Sequence, residues 1–515
     1  MEITHRLFFV FAWMGALALL MLPATNSQTG RSASSRKVVV PKIWDSRELA
    51  TWGTPIAGIN ATANYYTEEE YYQTPVDNTR TYPVYHPDYE PKNYRDWLKK
   101  QGPQPLIDPA KLNTEEDWIE AGRRVFDELD VPTARTSDPR AVEYFRDRAA
   151  LKKDGTTVAK GGIIPGFRWV VEKNGEIKLG LSECSGCHLR VMSDGTLIRG
   201  AQGNIQGGGV AVGLLTGSVV NDYEKDGKPP SKGELSYAFY GVPWLKDDIH
   251  EKFKSMSDKD LSAVNGADIS GTVARFNSSP YYTTKIPDLI GIKDRRYLDH
   301  TGTHLNRGPA DIARYAAYVA YADDGAIGPY KFFSDEQRRL KYRYSDEALF
   351  ALGMYIYSLA PPPNPNKFDA LARSGEQVFL QEGCTMCHTP PLYTNNMLIP
   401  VDGFEPPRDA ATRPLSILKG ARVGTDPGLA LRTRKGTGYY KVPSLRGLWY
   451  RKLIEHSGSI ASLEDWFNPN RLRDDFEPSG WKGPNVVRRS VKGHEFGLSL
   501  SASDKRALIA FLRTL

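Results

Sequence analysis

The sequence predicts a mostly α-helical protein made of two similar domains in tandem, with loop-rich insertions and an irregular N-terminal extension. Three observations support this prediction. The pattern Cys-x-x-Cys-His occurs twice, 200 positions apart. Other segments recur at a constant offset of 156 positions, as expected of a duplicated domain. The 46 glycines and 35 prolines exceed their usual combined share of about 12%, which indicates many turns and irregular loops.

The composition is that of a globular protein with more than one domain. A chain of 515 residues suggests roughly two to four domains of about 150 residues each. A hydrophobic content of 40% and a mean hydropathy of −0.46 exclude a polytopic membrane protein. The 67 basic and 61 acidic residues are interspersed and give a net charge of only +6, so nucleic acid is not an expected partner.

Residues 1–27 have the pattern of a secretory signal peptide. His5 and Arg6 precede an uninterrupted apolar run from Leu7 to Leu22, and small polar residues follow it. This run is short for a membrane span of about 20 residues, so we expect cleavage rather than retention as an anchor. The mature protein is therefore expected in a bacterial periplasm or outside the cell.

The two Cys-x-x-Cys-His motifs contain all four cysteines of the chain. On one helical turn, two thiols three positions apart can each bond a vinyl group of one haem, and the next histidine then lies beneath the iron. A zinc site, a redox-active dithiol or a local disulfide would leave both histidines unexplained. We therefore predict two cytochrome c-like domains, each carrying one haem c. The predicted attachment residues are Cys184, Cys187, Cys384 and Cys387, and the predicted iron ligands are His188 and His388.

The repeated segments follow the motifs in the same order in both halves. The first copy comprises Ile286–Gly291, Arg295 and His300–Gly302, and the second comprises Val442–Gly447, Arg451 and His456–Gly458. Residues 351–359 and 507–515 share the same offset and the spacing of an amphipathic helix. Ser345-Asp346 and Ser503-Asp504 are predicted to cap these two helices. Each domain is thus expected to end in a helix of common design.

Proline and glycine positions suggest the domain boundaries. Pro361–Pro365 cannot continue a helix and is predicted to connect an N-terminal haem domain, 106–360, to a C-terminal haem domain, 361–515. Gly122 and Gly375 lie at matching places in two further predicted helices, one beginning at Asn113 or Thr114 and the other covering 371–379. The first domain also contains an insertion, with a loop or hairpin over 167–179. Residues 28–105 form a tyrosine-rich extension whose side chains are expected to pack across the haem domains, with hole transfer or stacking on a substrate as the alternatives.

The sixth iron ligand decides what each haem can do, because an iron with two protein ligands transfers electrons and an iron with one can bind oxygen or peroxide. His494 lies in a loop just before the final helix and is predicted to be the second ligand of the C-terminal haem. Its repeat partner is Arg338, with Arg339 beside it, and arginine does not ligate iron. The N-terminal haem is therefore the expected reactive site.

The N-terminal iron could still have a second protein ligand, and the candidates are His300, His304 and Met192. His300 is also a candidate catalytic acid and base, although it shares its repeat position with His456, which favours a common structural role such as a hydrogen bond to a haem propionate. Arg295 and Arg451 are predicted propionate counter-ions or members of structural salt bridges.

Taken together, these residues resemble the bacterial di-haem cytochrome c peroxidase superfamily over about residues 110–515. The resemblance rests on the two haem motifs, the Asp194-Gly195 stretch, the Pro-x-Leu-x-Gly segment ending at His456-Ser457-Gly458, and the last helix. The layout is closest to the rubber oxygenase branch, because no histidine follows the first motif closely and His494 replaces the methionine of the classical peroxidases. That branch implies an open N-terminal haem that binds dioxygen and a bis-histidine C-terminal haem.

The expected function is that of an exported di-haem oxidoreductase that activates hydrogen peroxide or dioxygen. Its expected partners are a small redox protein that donates or accepts electrons, or a small or polymeric organic substrate. The alternative is a non-catalytic electron-transfer protein with both irons six-coordinate. The acidic pairs Asp323-Asp324 and Asp474-Asp475 are interpreted as solvated charge, with a calcium site as the alternative.

Overall fold

The computed structural model describes residues 38–515 except 208–229, 276, 321–325, 338–339, 409–414 and 419–421. The predicted signal peptide, Arg338, Arg339 and the Asp323-Asp324 pair lie outside these residues. Val38–Leu515 form one compact unit. The division into two haem domains at residue 361 therefore stays a prediction. The residues before it (38–360, the first half) and after it (361–515, the second half) are in extensive contact within this unit.

Helices of the described residues are mostly short. They are α1 (Ser46–Ala50), α2 (Glu68–Gln73), α3 (Tyr94–Lys99), α4 (Glu115–Glu128), α5 (Pro139–Tyr144), α6 (Arg148–Lys153), α7 (Cys184–Cys187), α8 (Lys232–Tyr240), α9 (Asp258–Asn265), α10 (Pro309–Ala320), α11 (Asp346–Ser358), α12 (Ala370–Gln381), α13 (Gly428–Leu431), α14 (Leu463–Trp466) and α15 (Ala502–Leu512). Among these helices, none is long and apolar enough to cross a membrane.

The described strands form one four-stranded sheet and several two-stranded ribbons. They are β1 (Thr81–Tyr85), β2 (Asp130–Thr136), β3 (Ile163–Lys173), β4 (Glu176–Ser182), β5 (Leu189–Val191), β6 (Leu197–Arg199), β7 (Thr272–Val273), β8 (Thr284–Lys285), β9 (Tyr297–Leu298), β10 (His304–Leu305), β11 (Ala326–Ile327), β12 (Tyr330–Lys331), β13 (Leu398–Pro400) and β14 (Tyr439–Lys441). The sheet is antiparallel in the order β1-β3-β4-β2, with Trp169 opposite Leu179. The predicted hairpin over 167–179 is thus the centre of this sheet.

Two crossed helix pairs form the centres of the two halves. In the first pair α4 crosses α11, and a β-carbon on Gly122 would lie 1.9 Å from the carbonyl oxygen of Ala351. In the second pair α12 crosses α15, and a β-carbon on Gly375 would lie 1.9 Å from the carbonyl oxygen of Ala507. Only glycine permits so close an approach of two helix backbones. The helices at offset 156 therefore occupy equivalent positions in the two halves.

Helix caps agree with the sequence in most places. Thr114 caps α4 and forms a capping box with Asp117, as predicted. Ser345 caps α11, since its hydroxyl accepts from the Ala348 N–H. The prediction that Ser503 caps the last helix is wrong, because Ser501, which lies 156 positions after Ser345, accepts from the Asp504 N–H. The last helix therefore begins at Ala502, and Ser503 lies within its first turn.

The tyrosine-rich extension packs onto the first helix pair. Trp44, Trp52 and Tyr71 are at most 1% exposed and belong to the same core as α4, α10 and α11. The extension contributes α1 to α3 and strand β1, so it is more regular than expected. Its aromatic side chains make contacts that continue into the first half.

Candidate functional site

The first haem-attachment motif forms helix α7, directly after strand β4. The Nδ1–H of His188 donates to the carbonyl oxygen of Pro287 at 3.0 Å, which leaves Nε2 as the nitrogen available to a metal. Desolvation lowers the pKa of His188 to about 4, so its ring is neutral. Burial raises the pKa of the Cys184 thiol.

The second motif occupies a 3₁₀ turn, Cys384–Met386, at the end of α12. His388 Nδ1–H donates to the carbonyl oxygen of Pro443 at 3.1 Å, and the carbonyl of Tyr393 lies at the same distance. Pro287 and Pro443 are repeat partners, so one loop orients the proximal histidine in each half. The sequence showed this loop as a repeat without indicating its role.

An arginine in each half holds this loop in shape. Arg295 donates to the carbonyls of Asp288 and Ile290, the latter at 2.7 Å. Its repeat partner Arg451 donates to the carbonyls of Ser444, at 2.9 Å, and Arg446. Both arginines thus support backbone structure, and Arg451 additionally forms an ion pair with Asp288 of the first half.

A cavity of about 240 Å³ adjoins the second motif. Its lining includes Cys384, Cys387, His388 and His494, together with apolar side chains such as Leu508. The structure therefore brings the predicted distal ligand to the same cavity as the attachment residues. The Nδ1 atom of His494 is shielded from solvent and has no hydrogen-bond partner among the described residues. Burial and the nearby His388 lower the pKa of His494 to about 4, so it is a neutral imidazole that can ligate a metal.

Arg471 positions the loop that carries His494, a role for which no sequence pattern was found. Its side chain is fully buried and donates to three carbonyls, those of Trp466 at 2.8 Å, Val491 at 2.8 Å and His494 at 2.6 Å. The guanidinium also lies over the Trp466 ring, 4.3 Å from its centroid. The loop is therefore held at His494 itself and three residues before it.

A smaller cavity, of about 70 Å³, adjoins the first motif. Its lining includes Cys187 and His188 together with the polar residues Arg275, Asp299 and Tyr315. Burial and the nearby Asp299 carboxylate raise the pKa of Tyr315, and the pKa of Asp299 is held low mainly by Lys435 against the effect of burial. This cavity is thus more polar than the one beside the second motif.

His300 lines both cavities, but its ring is already engaged. Its Nε2–H donates to the carbonyl oxygen of Lys285 at 2.9 Å, which ties the ring to the backbone through this nitrogen and leaves Nδ1 as the nitrogen without a proton. Desolvation lowers its pKa to about 3. Neither His304 nor Met192 is among the described residues that line the first cavity. Beyond residue 37, no residue outside the described ranges is a histidine or a methionine.

The repeat partners His300 and His456 make equivalent hydrogen bonds with their backbone carbonyls, whereas their side chains make different contacts. The Lys441 N–H donates to the His300 carbonyl and the Lys285 N–H donates to the His456 carbonyl, both at 2.9 Å. Each bond joins one half to the other with the same geometry. The side chain of His456 differs from that of His300, since it pairs with Glu455 and lies 3.1 Å from the Tyr440 hydroxyl.

Among the described residues, no group of three or more His, Cys, Asp or Glu side chains could hold a metal ion such as calcium. Asp475 forms an exposed ion pair with Arg473.

The second cavity contains the residues a covalent haem needs, namely two thiols, a fixed proximal histidine, an unpartnered second histidine nitrogen and apolar lining. The first motif supplies the same thiols and proximal histidine.

Comparison with known proteins finds no matching family model and no matching curated protein. Among similar solved structures is Kuenenia stuttgartiensis hydrazine synthase, pressurised with xenon, at 17% identity and a TM-score of 0.27, covering 56% of this chain and 88% of that one. Another is a MauG-like protein associated with microbial copper homeostasis, at 15% identity and a TM-score of 0.21, covering 33% of this chain. This chain spans 56% of that MauG-like protein. At TM-scores this low, the site is interpreted from the residues of this chain.

Proposed function

We propose that this protein is an exported di-haem c-type oxidoreductase with an electron-relay haem at His388 and His494 and a reactive haem at His188. The observation that carries this proposal is the asymmetry of the two cavities. The second cavity is lined both by its attachment motif and by His494, a neutral histidine whose Nδ1 has no hydrogen-bond partner among the described residues. The ring of His300, which lines the first cavity as well, is instead tied to the Lys285 carbonyl through its Nε2–H.

Bound haem would supply redox chemistry and, at an iron with an open position, binding of a small oxidant. The protein orients each proximal histidine through the Pro287 and Pro443 carbonyls and keeps Nε2 free for the iron. Arg471 fixes the loop that presents His494 to the second haem. These contacts support the proposal that the second half relays electrons.

In the first cavity the polar side chains favour a small polar oxidant over a long apolar substrate. Arg275 carries a positive charge in the cavity lining, and Asp299 holds the Tyr315 proton at the phenolic oxygen. Such charged and hydrogen-bonded groups assist proton movement to an oxygen atom of peroxide. We therefore propose hydrogen peroxide as the preferred oxidant and dioxygen as the second, with a small redox protein as electron donor.

Carbon monoxide binding tests this assignment. The fully reduced, haem-loaded protein should bind one carbon monoxide for each pair of haems, measured by optical titration. Replacing both Cys184 and Cys187 by alanine should abolish that binding, while Thr385→Ala in the second motif should leave it unchanged. Failure of the native protein to bind carbon monoxide would contradict the proposal and favour a pure electron-transfer protein.

A further inference from the structure

A continuous series of aromatic rings leads from the first cavity into the N-terminal extension. It begins at Tyr315, which lines that cavity, and ends at Tyr72 in α2. The centroid distances are 6.1 Å for Tyr315–Tyr318, 5.8 Å for Tyr318–Tyr65, 6.2 Å for Tyr65–Trp44, 4.8 Å for Trp44–Tyr71 and 5.1 Å for Tyr71–Tyr72. Each ring is therefore in contact with the next.

The series is shielded from solvent over most of its length and reaches the surface at its end. Trp44 and Tyr71 are at most 1% exposed and Tyr318 is 5% exposed. Tyr72 is half-buried, and the exposed ammonium of Lys42 lies 4.9 Å from its ring centroid. A buried path thus connects the first cavity to a place that a partner can reach.

Oxidation of a tyrosine releases its phenolic proton, so a tyrosine at which the radical rests needs a proton acceptor nearby. Tyr315 lies beside the Asp299 carboxylate, and Tyr72 donates to Asp346 Oδ2 at 2.6 Å. The hydroxyl of Tyr65 lies 3.0 Å from His304 Nε2. These three tyrosines therefore have a carboxylate or an imidazole nearby.

The hydrogen bonds around His304 fix its tautomer. Thr303 donates its hydroxyl proton to Asp299 Oδ2 at 2.8 Å, so its oxygen accepts from His304 Nδ1–H at 2.9 Å. His304 Nε2 then carries no proton and accepts from the Tyr65 hydroxyl. Desolvation lowers the pKa of His304 to about 3, which keeps the ring neutral and able to take up that proton. One hydrogen-bonded chain thus links the phenol of Tyr65 to Asp299, the carboxylate beside Tyr315.

We propose that these rings form a one-electron relay, by which a donor bound at the surface near Tyr72 reduces the first site without entering its cavity. The proposal rests on the proposed function, with hydrogen peroxide as oxidant. Peroxide takes up two electrons and two protons to give two waters. For each electron passed inward, a phenol gives its proton to its partner, Asp299, His304 or Asp346, and the external donor then returns an electron to Tyr72, which regains its proton.

Aromatic packing alone does not explain this arrangement. Tyr82, Tyr94 and Trp97 of the same extension also form contacts between rings, but Tyr82 and Tyr94 belong to the separate core of the four-stranded sheet and Trp97 is exposed. Tyr144 in that core donates to Asp154 at 2.7 Å, which makes it a matched control with the same hydroxyl-to-carboxylate bond. Tyr65 is the ring that joins the α10 tyrosines to Trp44, so it is the position to replace.

The relay is tested by trapping its radicals. The haem-loaded native protein, Tyr65→Phe, Tyr72→Phe and Tyr144→Phe are each mixed with one equivalent of hydrogen peroxide without a reductant. Freeze-quench EPR then records tyrosyl radicals, and the spin trap 2-methyl-2-nitrosopropane followed by peptide mass spectrometry locates them. We expect an adduct on Tyr72 in the native protein and in Tyr144→Phe, and loss of that adduct in Tyr65→Phe.

Two contrary results have different meanings. If the optical spectrum of the native protein does not respond to peroxide, the proposed function fails and the relay fails with it. If peroxide reacts with the haem but the Tyr72 adduct is absent, or persists in Tyr65→Phe, the relay alone is overturned. Phenylalanine keeps the ring packing in each variant, and a thermal melt of each protein confirms that the fold is retained.

Discussion

The first and second halves hold their haem-attachment motifs in the same way, but different side chains face those motifs. In both, a glycine permits two helices to cross, and a proline carbonyl orients the proximal histidine. The second half adds a loop fixed by Arg471 that presents His494. The first half instead places Arg275, Asp299 and Tyr315 in its cavity. Under the proposed function, the repeated elements would provide attachment and the proximal ligand, while the unrepeated loops would decide between electron transfer and chemistry.

The largest expected effect follows from removing an attachment pair. Replacing Cys384 and Cys387 by alanine should remove one covalent haem, because each thiol supplies one bond to it. Mass spectrometry of the denatured protein should show a loss of one haem, and Thr385→Ala should show none. A double variant that keeps two covalent haems would contradict the equivalence of the two motifs.

One buried carboxylate, that of Asp288, takes part in the contact between the halves. Asp288 accepts from Arg451 Nε at 2.9 Å and from the Tyr450 hydroxyl at 2.7 Å, and it is 5% exposed. Asp288→Asn leaves Arg451 without its buried counter-charge and should lower the free energy of unfolding by about 3–5 kcal/mol. Urea denaturation measures this change.

Asp294→Asn is the matched control, because the ion pair of Asp294 with Arg446 is partly exposed. It should cost less than about 1 kcal/mol. Equal losses in the two variants would show that the Asp288 pair has no special role between the halves.

The two helix crossings should respond alike to an added methyl group. Gly122→Ala and Gly375→Ala each place a β-carbon against a carbonyl oxygen, and should lower the free energy of unfolding by about 1–3 kcal/mol despite the better helix propensity of alanine. Thermal denaturation measures the effect. Gly308→Ala, where a β-carbon meets nothing within 4 Å, should stay within about 0.5 kcal/mol of the native protein. A loss of stability in only one of the two glycine variants would contradict the structural equivalence of the two helix crossings.

The smallest expected effect concerns the loop of His494. Arg471→Lys keeps the charge but cannot donate to all three carbonyls with the same geometry, which should cost about 1–2 kcal/mol. Part of the second haem should also become high-spin, as measured by its optical spectrum. Arg473→Lys, at an exposed ion pair, should change neither quantity. An unchanged spectrum in Arg471→Lys would mean that the loop holds His494 without this arginine.

Much of the repeated structure could be predicted from the sequence, because repeats preserve local patterns. The offset of 156 located the Pro287 and Pro443 loops and the two closing helices, and it also points to Ser501 rather than Ser503 as the last cap. Cap hydroxyls so close together are hard to rank from sequence, since either serine can accept from a nearby N–H.

Contacts between distant segments could not be predicted. The bond of His300 to the Lys285 carbonyl and the position of Arg471 depend on how loops from separate parts of the chain meet. Of the four-stranded sheet, the sequence likewise predicted only a hairpin, because β1 joins this sheet from residues about 80 positions earlier. For the same reason, the link from Tyr315 to the extension became visible only in the fold.

The central claim is that only the second haem has two protein ligands, and low-temperature EPR of the oxidised and half-reduced protein tests it most directly. The account predicts one high-spin and one low-spin haem in the native protein. His494→Ala should convert the second to high spin, whereas His456→Ala, which lines the same cavity, should not. Two low-spin haems in every redox state, or an unchanged spectrum in His494→Ala, would contradict the account.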